Sequence, residues 1–536
     1  MPKPSLRTLS TTLAFLGTLM GGLSASEDAA RTLSLDLKQT SGPQSVMWRQ
    51  CVGAGRVGEG LRPEWQAQIR TVKAELGFER LRCHGLYHDE LNVYHVDAQG
   101  KEVYDFSKID QVYDVLVKTG VRPFVEFGFV PQDMASGTQT IFWWKGNVTT
   151  PKDMGAWGRL IGATARHWVE RYGINEVVTW NFEIWNEPNL GGFLKPIVKD
   201  NSFAEYGEIY RAAAKALKEV DPRLQVGGPA AAGASWNEKF VAWATEAKVP
   251  LDFLSFHTYS THKGVDLDEF GRMQIFFNDN LHHVADYVRG ARKKVEAGPR
   301  PGLPIHLTEW STSPSARDPS HDAYQSAPFI LEQIKHAGDA VNSMSYWVFT
   351  DIFEESGPVT KPFQGCFGLM TKDSIRKPTW FAYAFLNRLG STALKGTDAH
   401  SLATTDDAGG VQVLVWDYRR PAPDKVSNQS WFMQDHPAQD LPPVAVTITA
   451  LTPGDYDLTR TRVGYRANDA YTPWLVDLKK PDALTPDQFK TLQQASSGAP
   501  EQTARVTVGA DGRYATSIPL REFDGVLLSL KPVKTP

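Results

Sequence analysis

Between about residue 46 and residue 390, short apolar stretches alternate eight times with longer stretches of helical periodicity. The predicted strands cover residues 46–51, 78–84, 122–128, 180–187, 224–228, 253–259, 304–310 and 343–350, and a predicted helix follows each of them. Eight successive strand–helix pairs are typical of a parallel sheet that closes on itself, with the helices outside. The sequence therefore predicts an α/β fold, a (β/α)8 TIM barrel over residues 45–390.

An open, doubly wound sheet is the alternative to a barrel. Such a sheet, if it bound a dinucleotide, would carry a glycine-rich phosphate loop directly after its first strand. The segment Val52-Gly53-Ala54-Gly55-Arg56 lacks the third glycine of that loop and is not followed by a helix at the required place. The pattern therefore favours the closed barrel.

After Gly390 the helical periodicity ends, and short strand-like stretches separated by turn residues take its place. These stretches cover residues 409–418, 444–451, 454–458, 504–508 and 525–530, with a proline-rich loop predicted over 421–443. Near the N-terminus, Leu33, Leu35 and Leu37 alternate with polar residues as in a strand. We therefore predict an accessory antiparallel β-sandwich domain made of residues 27–44 and 391–536.

The first residues resemble an export signal. Lys3 and Arg7 precede an apolar stretch from Leu13 to Leu23, and small residues follow it. We predict a signal peptide over residues 1–26 and an exported protein, either periplasmic or secreted. No later apolar stretch is long enough to span a bilayer, so no membrane association is expected.

Composition limits the possible ligands. The net charge is −4, which provides no basic field for nucleic acid. The chain has 16 Trp and 17 Tyr, whose rings can stack on sugars or simply fill a large core. The three cysteines have no metal-ligand spacing, and no cofactor is expected.

The polar and aromatic candidates for function lie at or just beyond the carboxyl ends of the predicted strands. In a barrel these ends share one face, where active sites are built. Glu187 ends the fourth strand and Glu309 lies in the seventh, so the two carboxyl groups can meet across a sugar ring. One protonated and one ionised carboxyl group are what glycoside hydrolysis requires.

Several segments carry a family resemblance. Trp185-Asn186-Glu187-Pro188-Asn189 and Leu307-Thr308-Glu309-Trp310 are similar to the fourth- and seventh-strand motifs of retaining glycoside hydrolases with (β/α)8 barrels. Together with Cys83–Asp89, Phe124–Pro131 and Phe256–Tyr259, they resemble glycoside hydrolase family 39, which contains β-xylosidases and α-L-iduronidases. The resemblance covers the whole predicted barrel.

The resemblance implies a role for each candidate. Glu187 would be the acid/base and Glu309 the nucleophile. The implied substrate-binding residues are His84, Phe129, Asn186, His257, Tyr259, Trp347, Glu354 and Glu355. Asn186 would bond the sugar 2-hydroxyl, and His257 and Tyr259 would frame the nucleophile. His84, Glu354 and Glu355 would hold the outer hydroxyls, while Trp347 and Phe129 would wall the pocket.

Structural roles remain open for some of these residues. His84 could be a core histidine, Trp347 could be barrel packing, and the pair Glu354-Glu355 could face solvent. Strand alternation turns Arg82 and Glu183 into the barrel, where we expect a buried ion pair beneath the site. A metal site at His84 and His88 is disfavoured, because their segment is not a helix that would align them.

The sequence thus predicts a retaining exo-glycosidase that releases xylose from xylo-oligosaccharides. The acidic pair Glu354-Glu355 favours a neutral sugar, because an iduronidase must bind a sugar carboxylate and would need basic or amide donors. An α-L-iduronidase, a glycanase of other specificity and a non-catalytic sugar-binding barrel are the alternatives.

Overall fold

The computed structural model describes residues 30–262 and 273–533, and the backbone of residues 266–267. The predicted signal peptide lies outside the described residues. The barrel strands are β1 (Val52–Arg56), β2 (Arg80–His84), β3 (Arg122–Phe127), β4 (Asn181–Ile184), β5 (Gln225–Ala232), β6 (Phe253–His257), β7 (Ile305–Trp310) and β8 (Ser343–Tyr346). The helices that follow them are α1 (Pro63–Leu76), α2 (Ser107–Thr119), α3 (Met154–Tyr172), α4 (Ser202–Val220), α5 (Asn237–Glu246), α6 (His283–Ala297), α7 (Ser326–Ala337) and α8 (Pro378–Asn387).

The eight strands are parallel and form a closed barrel. Closure occurs between β8 and β1, where Tyr346 pairs with Val52. Glycines at positive φ end two of the helices, with Gly77 after α1 and Gly120 after α2, because glycine adopts this backbone conformation without strain. The predicted TIM barrel is confirmed.

The position of the first strand was predicted wrongly. Residues 46–51 contain a 3-10 turn, Met47–Arg49, and the strand is the glycine-rich segment that follows it. A Cβ atom on Gly53 would lie 2.4 Å from the Trp347 ring, so only glycine lets this strand approach the end of β8. The same glycines weaken the strand pattern in the sequence.

Two further sheets pack on each other beside the barrel. One has three strands, Thr32–Asp36, Asp440–Thr449 and Tyr514–Arg521. The other has seven strands, Thr40–Pro43, Thr392–Leu394, Ser401–Thr405, Val411–Trp416, Gly525–Pro532, Gly454–Val463 and Gln502–Val508. All pairings are antiparallel except one, since Thr32–Asp36 runs parallel to Asp440–Thr449.

Smaller elements decorate both parts. Three two-stranded ribbons lie in loops of the barrel, Tyr94–Val96 with Glu102–Tyr104, Thr140–Ile141 with Gly146–Asn147, and Asp266–Leu267 with Met273–Gln274. Short helices lie at Ile174–Val177 and Asn428–Trp431, the second inside the predicted proline-rich loop, and a longer helix lies at Pro486–Ala495. Across 30–262 and 273–533, every helix is too short or too polar to span a bilayer.

Candidate active site

The carboxyl ends of the barrel strands bring the predicted residues together in one buried cluster. β2 contributes Arg82 and His84, and β3 contributes Glu126. β4 carries Glu183 and leads directly into Asn186 and Glu187. His257 ends β6, Glu309 lies near the end of β7, and Trp347 follows β8. The side chains of this cluster are all buried.

Glu187 and Glu309 face each other. A carboxylate oxygen of Glu187 lies within 4.8 Å of one of Glu309, and a nitrogen of His257 lies within the same limit of both. His257 Nδ1 lies 2.8 Å from Glu187 Oε1 and 3.5 Å from Glu309 Oε2. Two residues that are distant along the chain therefore form a close carboxyl pair, and both groups can contact one reacting carbon placed between them.

Arg82 neutralises the floor of the cluster. Its guanidinium donates through Nε to Glu183 (2.5 Å), through one terminal nitrogen to Glu309 Oε1 (2.7 Å) and through the other to Asn186 Oδ1 (2.8 Å). The second terminal nitrogen also lies 2.8 Å from Glu126. A single buried cation thus orients three carboxyl groups and one amide, as the planar fork of arginine allows.

The two facing carboxyl groups differ in electrostatic environment. Burial, together with the negative charge of Glu309, raises the pKa of Glu187 well above its usual range. Burial also raises the pKa of Glu309, but Arg82 and the Tyr259 hydroxyl oppose the rise. Tyr259 donates a hydrogen bond of 2.7 Å to Glu309 Oε2. Glu187 is therefore suited to hold a proton and Glu309 to carry a charge.

The backbone presents Glu187 in an uncommon conformation. Its φ is +45° and that of Trp185 is +73°, in the left-handed region that non-glycine residues rarely occupy. The Glu187 amide donates to the Ala230 carbonyl (2.9 Å), and Trp185 Nε1 donates to the Phe193 carbonyl (2.8 Å). Such backbone strain, held by surrounding contacts, is typical of functional sites.

His84 lies on the side of the cluster away from Glu187. Its Nδ1 is 2.6 Å from Glu126 Oε2, and its Nε2 is 3.6 Å from both Glu309 and Glu355. Burial lowers the pKa of His84 to about 3, so the imidazole is neutral. Glu126 accepts the Nδ1–H, which leaves Nε2 as an acceptor facing the cavity.

The adjacent glutamates Glu354 and Glu355 point in different directions. Both oxygens of Glu354 accept from arginines, at 2.7 Å from Arg56 and 2.7 Å from Arg62. Arg56 and Arg62 therefore engage both carboxylate oxygens of Glu354, and its sugar-binding role stays a prediction. Glu355 faces His84 and is the more accessible of the two.

Two aromatic residues close the cluster. The Trp347 ring lies 4.7 Å from the His84 ring and 5.7 Å from the Arg82 guanidinium. The Phe129 ring packs 6.2 Å from His84 and 5.8 Å from Trp185, so it supports the wall that carries Glu187.

The model of the family "Glycosyl hydrolases family 39" matches residues 32–515 of the chain. The chain belongs to this family.

Its relatives include a β-xylosidase of Geobacillus stearothermophilus, which is 40% identical over 377 residues, 69% of this chain and 73% of the relative. Among solved structures, the family 39 enzyme from Xanthomonas axonopodis pv. citri is 41% identical, with a TM-score of 0.91 over 96% of this chain and all of that one. A monomeric β-xylosidase from Caulobacter crescentus CB15 is 42% identical, with a TM-score of 0.90 over 94% of this chain and all of that one. The chain is thus a glycoside hydrolase.

Three residues of this family 39 site were not assigned roles from the sequence. Arg82 was expected only to pair with Glu183, yet it also holds Glu309 and Asn186. Glu126 lies within the segment Phe124–Pro131, and it orients both His84 and Arg82. Thr308 links His257 to Glu183. Strand alternation turns Arg82 and Glu126 into the barrel, and this is the signal that could have identified them. Alternation predicts opposite faces for Thr308 and Glu309, so no such signal exists for Thr308; the register of β7 shifts at this point.

The carboxyl pair and His257 are also close enough to hold a metal ion. Arg82, which binds Glu309 directly, places a permanent positive charge against that position. This charge repels a cation and disfavours a resident metal ion at the carboxyl pair.

Proposed function

We propose that this protein is a retaining, exo-acting β-xylosidase that removes xylose from the non-reducing ends of β-1,4-xylo-oligosaccharides by double displacement. The observation that carries the proposal is the approach of the two carboxyl groups to within 4.8 Å. Retaining glycosidases hold their carboxyl pair about 5–5.5 Å apart, whereas inverting enzymes need about 6.5–9.5 Å to admit a water. An oxygen-to-oxygen approach of no more than 4.8 Å supports retention.

In the first step, Glu309 attacks the anomeric carbon while Glu187 gives its proton to the leaving oxygen. The carbon–oxygen bond of the glycoside breaks, a glycosyl ester of Glu309 forms, and the shortened oligosaccharide departs as an alcohol. The protonated state of Glu187 that this step needs is supported by its raised pKa.

In the second step, water attacks the same carbon from the face that the leaving group vacated. Glu187, now ionised, accepts the proton of the water, and Glu309 leaves as a carboxylate. Arg82 and Tyr259 stabilise that carboxylate, because both donate to it at 2.7 Å. The two inversions give net retention.

Neighbouring groups support the charge that develops on the sugar. Asn186 Oδ1 is held by Arg82, so its amide nitrogen is the group that can donate to the 2-hydroxyl. His257 lies 2.8 Å from Glu187 and is neutral, because burial lowers its pKa well below the usual range. Because neutral His257 has no positive charge to stabilise the ionised form of Glu187, it does not oppose the raised pKa of Glu187.

A neutral sugar fits the outer wall better than a uronic acid. Glu355 is the accessible group there, and burial together with Glu309 raises its pKa well above the usual range. Arg56, the nearest strongly basic group on β1, is occupied by Glu59, Glu90 and Glu354. An α-L-iduronidase would need a basic group free to bind a sugar carboxylate.

Loop contacts support exo action. The ribbon Thr140–Asn147, inserted after β3, reaches the loop after β8, where the Trp143 amide donates to the Glu355 carbonyl (2.8 Å). These loops meet across β1 and β2 and wall one side of the barrel mouth. A wall on one side blocks passage of a long chain and favours a pocket for a terminal sugar.

We also propose that the protein is exported, on the basis of the signal-like residues 1–26. N-terminal sequencing of the protein recovered from its native host would test this. A mature chain that begins near residue 27 supports export, and an intact Met1 contradicts it.

The proposed activity can be tested with paired aryl glycosides. We expect turnover of 4-nitrophenyl β-D-xyloside and none of the matching α-L-iduronide, with the first-formed xylose in the β configuration by NMR. Turnover of the iduronide alone would overturn the substrate assignment, and first-formed α-xylose would overturn retention. Exclusive activity on internal bonds of xylan would contradict exo action.

A further inference from the structure

Glu332 is a fully buried carboxylate on the outer side of the barrel, distant from the catalytic cluster. It lies on α7, and only 1% of its side chain is exposed. Its Oε1 is 2.6 Å from Nε2 of His282, which caps the start of α6, and 3.1 Å from Nε2 of His336 on α7. One nitrogen from each imidazole and one carboxylate oxygen lie within 4.8 Å of one another.

The other oxygen of Glu332 is fixed from the sandwich side. Trp416 Nε1 donates to Oε2 at 2.7 Å, and His400 Nδ1 lies 2.9 Å from the same atom. These contacts set the orientation of the carboxylate and leave Oε1 to the two imidazoles. Carboxylate ligands of metal ions are commonly oriented by hydrogen bonds of this kind.

The two imidazoles are arranged as ligands rather than as two cations. Their rings are stacked, with centroids 4.0 Å apart and an interplanar angle of 24°. Two charged imidazolium rings would repel each other at this distance. His336 Nε2 is buried without a well-formed hydrogen bond, so its lone pair is available to a ligand.

We propose that His282, Glu332 and His336 form a binding site for a divalent transition-metal ion, for which zinc is the best match. Two imidazoles and one carboxylate are a donor set that zinc favours. Zinc bonds of about 2.0–2.1 Å in a tetrahedron place donor atoms about 3.3 Å apart. The His336–Glu332 distance already fits, and His282 needs to withdraw by less than about 1 Å.

Local electrostatics is compatible with a cation. Glu332 and His336 are four residues apart on the last turns of α7, where the helix dipole is negative. Arg289 donates to the His336 carbonyl, but it is paired with Asp286. The side chains of His282 and His336 are 35% and 22% exposed, so water can occupy a fourth position.

The role of this site would be structural. A metal ion would join the start of α6 to the end of α7, and through Glu332 it would reinforce the contacts with Trp416 and His400 of the sandwich. The catalytic carboxyl groups take no part, so hydrolysis of the glycoside should not require the ion.

The test is zinc titration of the full-length, chelator-treated protein at pH 8, by calorimetry and by thermal unfolding. We expect one site whose occupation raises the melting temperature. His336→Gln and His282→Gln, which keep polarity and size, should each weaken binding at least ~10-fold, and His400→Ala should weaken it ~10–100-fold as an outer partner. Cobalt in place of zinc should give the absorption bands of a tetrahedral site.

His167 provides the control. Its Nε2 lies 2.7 Å from Asp110 in a similar contact between two helices, but no third donor of the described chain joins them. His167→Gln should bind zinc as the wild type does. If zinc bound at Glu187 and Glu309 instead, it would inhibit hydrolysis, and its binding would persist in both His282→Gln and His336→Gln.

The proposal is overturned if the wild type binds no zinc up to millimolar concentration. It is equally overturned if the doubly substituted His282→Gln/His336→Gln protein keeps the affinity and the thermal shift of the wild type.

Discussion

Arg82 is the residue on which the charge state of the catalytic cluster depends. Its side chain is completely buried and contacts Glu126, Glu183 and Glu309. Burying a carboxylate without a partner is costly, so the cation is needed both to fold this region and to keep the proposed nucleophile ionised. The Arg82 side chain therefore contributes both to stability and to the proposed catalysis.

Replacing Arg82 with Met should lower stability and activity together. The substitution leaves carboxyl groups buried without their cation, and we expect a loss of about 3–5 kcal/mol in the free energy of unfolding. Arg159→Met is the matched control, because Arg159 forms an exposed ion pair with Glu102 and should cost less than about 1 kcal/mol. Urea unfolding of both variants decides this, and equal losses would contradict the role of Arg82.

The pH dependence of hydrolysis should report the two carboxyl groups. Glu187 must be protonated, so kcat/KM falls as the pH rises through its raised pKa. Glu309 must be ionised, so kcat/KM also falls at low pH. With an aryl xyloside whose leaving group needs no proton, Glu187→Gln should remove the alkaline limb and keep the acidic one. An alkaline limb unchanged in Glu187→Gln would exclude Glu187 as the acid.

At the scale of elements, the site depends on how closely β1 approaches the end of β8. Trp347 follows β8 and covers both His84 and Arg82, and it can do so because Gly53 has no side chain. A tight contact in the first strand therefore sets the position of a wall of the site.

Gly53→Ala should disturb this wall. The added methyl group would lie 2.4 Å from the Trp347 ring, and overpacking of this kind costs about 1–3 kcal/mol. Because Trp347 must move, kcat/KM should fall as well. Gly290→Ala on the exposed side of α6 meets no atom within 4 Å and should be neutral or slightly stabilising. Wild-type kinetics in Gly53→Ala would contradict the packing argument.

The barrel and the convergence of its strand ends could be predicted from sequence, because strand–helix alternation and the segments around Glu187 and Glu309 are local patterns. The contacts of Arg82 could not be predicted, because the carboxylates within reach of its long side chain come from different strands and are identified only by the three-dimensional structure. Glu354 and Glu355 are adjacent in a loop, and no periodicity indicates which one turns toward Arg56. The first strand was predicted at the wrong position because its glycines weaken the strand pattern, and Gly53 is needed there to make room for Trp347, which is distant in the sequence.

At the scale of the molecule, the barrel and the sandwich share apolar contacts. Trp416, Tyr418 and Leu527 come from the second part of the chain but belong to the same buried cluster as the barrel core. Trp416 also donates to Glu332 of α7. The two parts should therefore unfold in one transition rather than separately.

Leu33→Ala tests this coupling from the far side of the sandwich. Leu33 is fully buried in the strand Thr32–Asp36, and its truncation should cost about 2–5 kcal/mol. We expect the temperature of activity loss and the calorimetric midpoint to fall together. A sandwich that melts first while activity persists would show that the parts are independent.

In the proposed mechanism, Glu309 forms a covalent bond to the sugar while Glu187 donates and then accepts the proton. Incubation with an activated 2-deoxy-2-fluoro-β-xyloside slows the second step, so the intermediate accumulates. Mass spectrometry of the digested protein should then locate one fluoroxylosyl group on Glu309. A label on Glu187, or inactivation without any covalent sugar, would contradict the account.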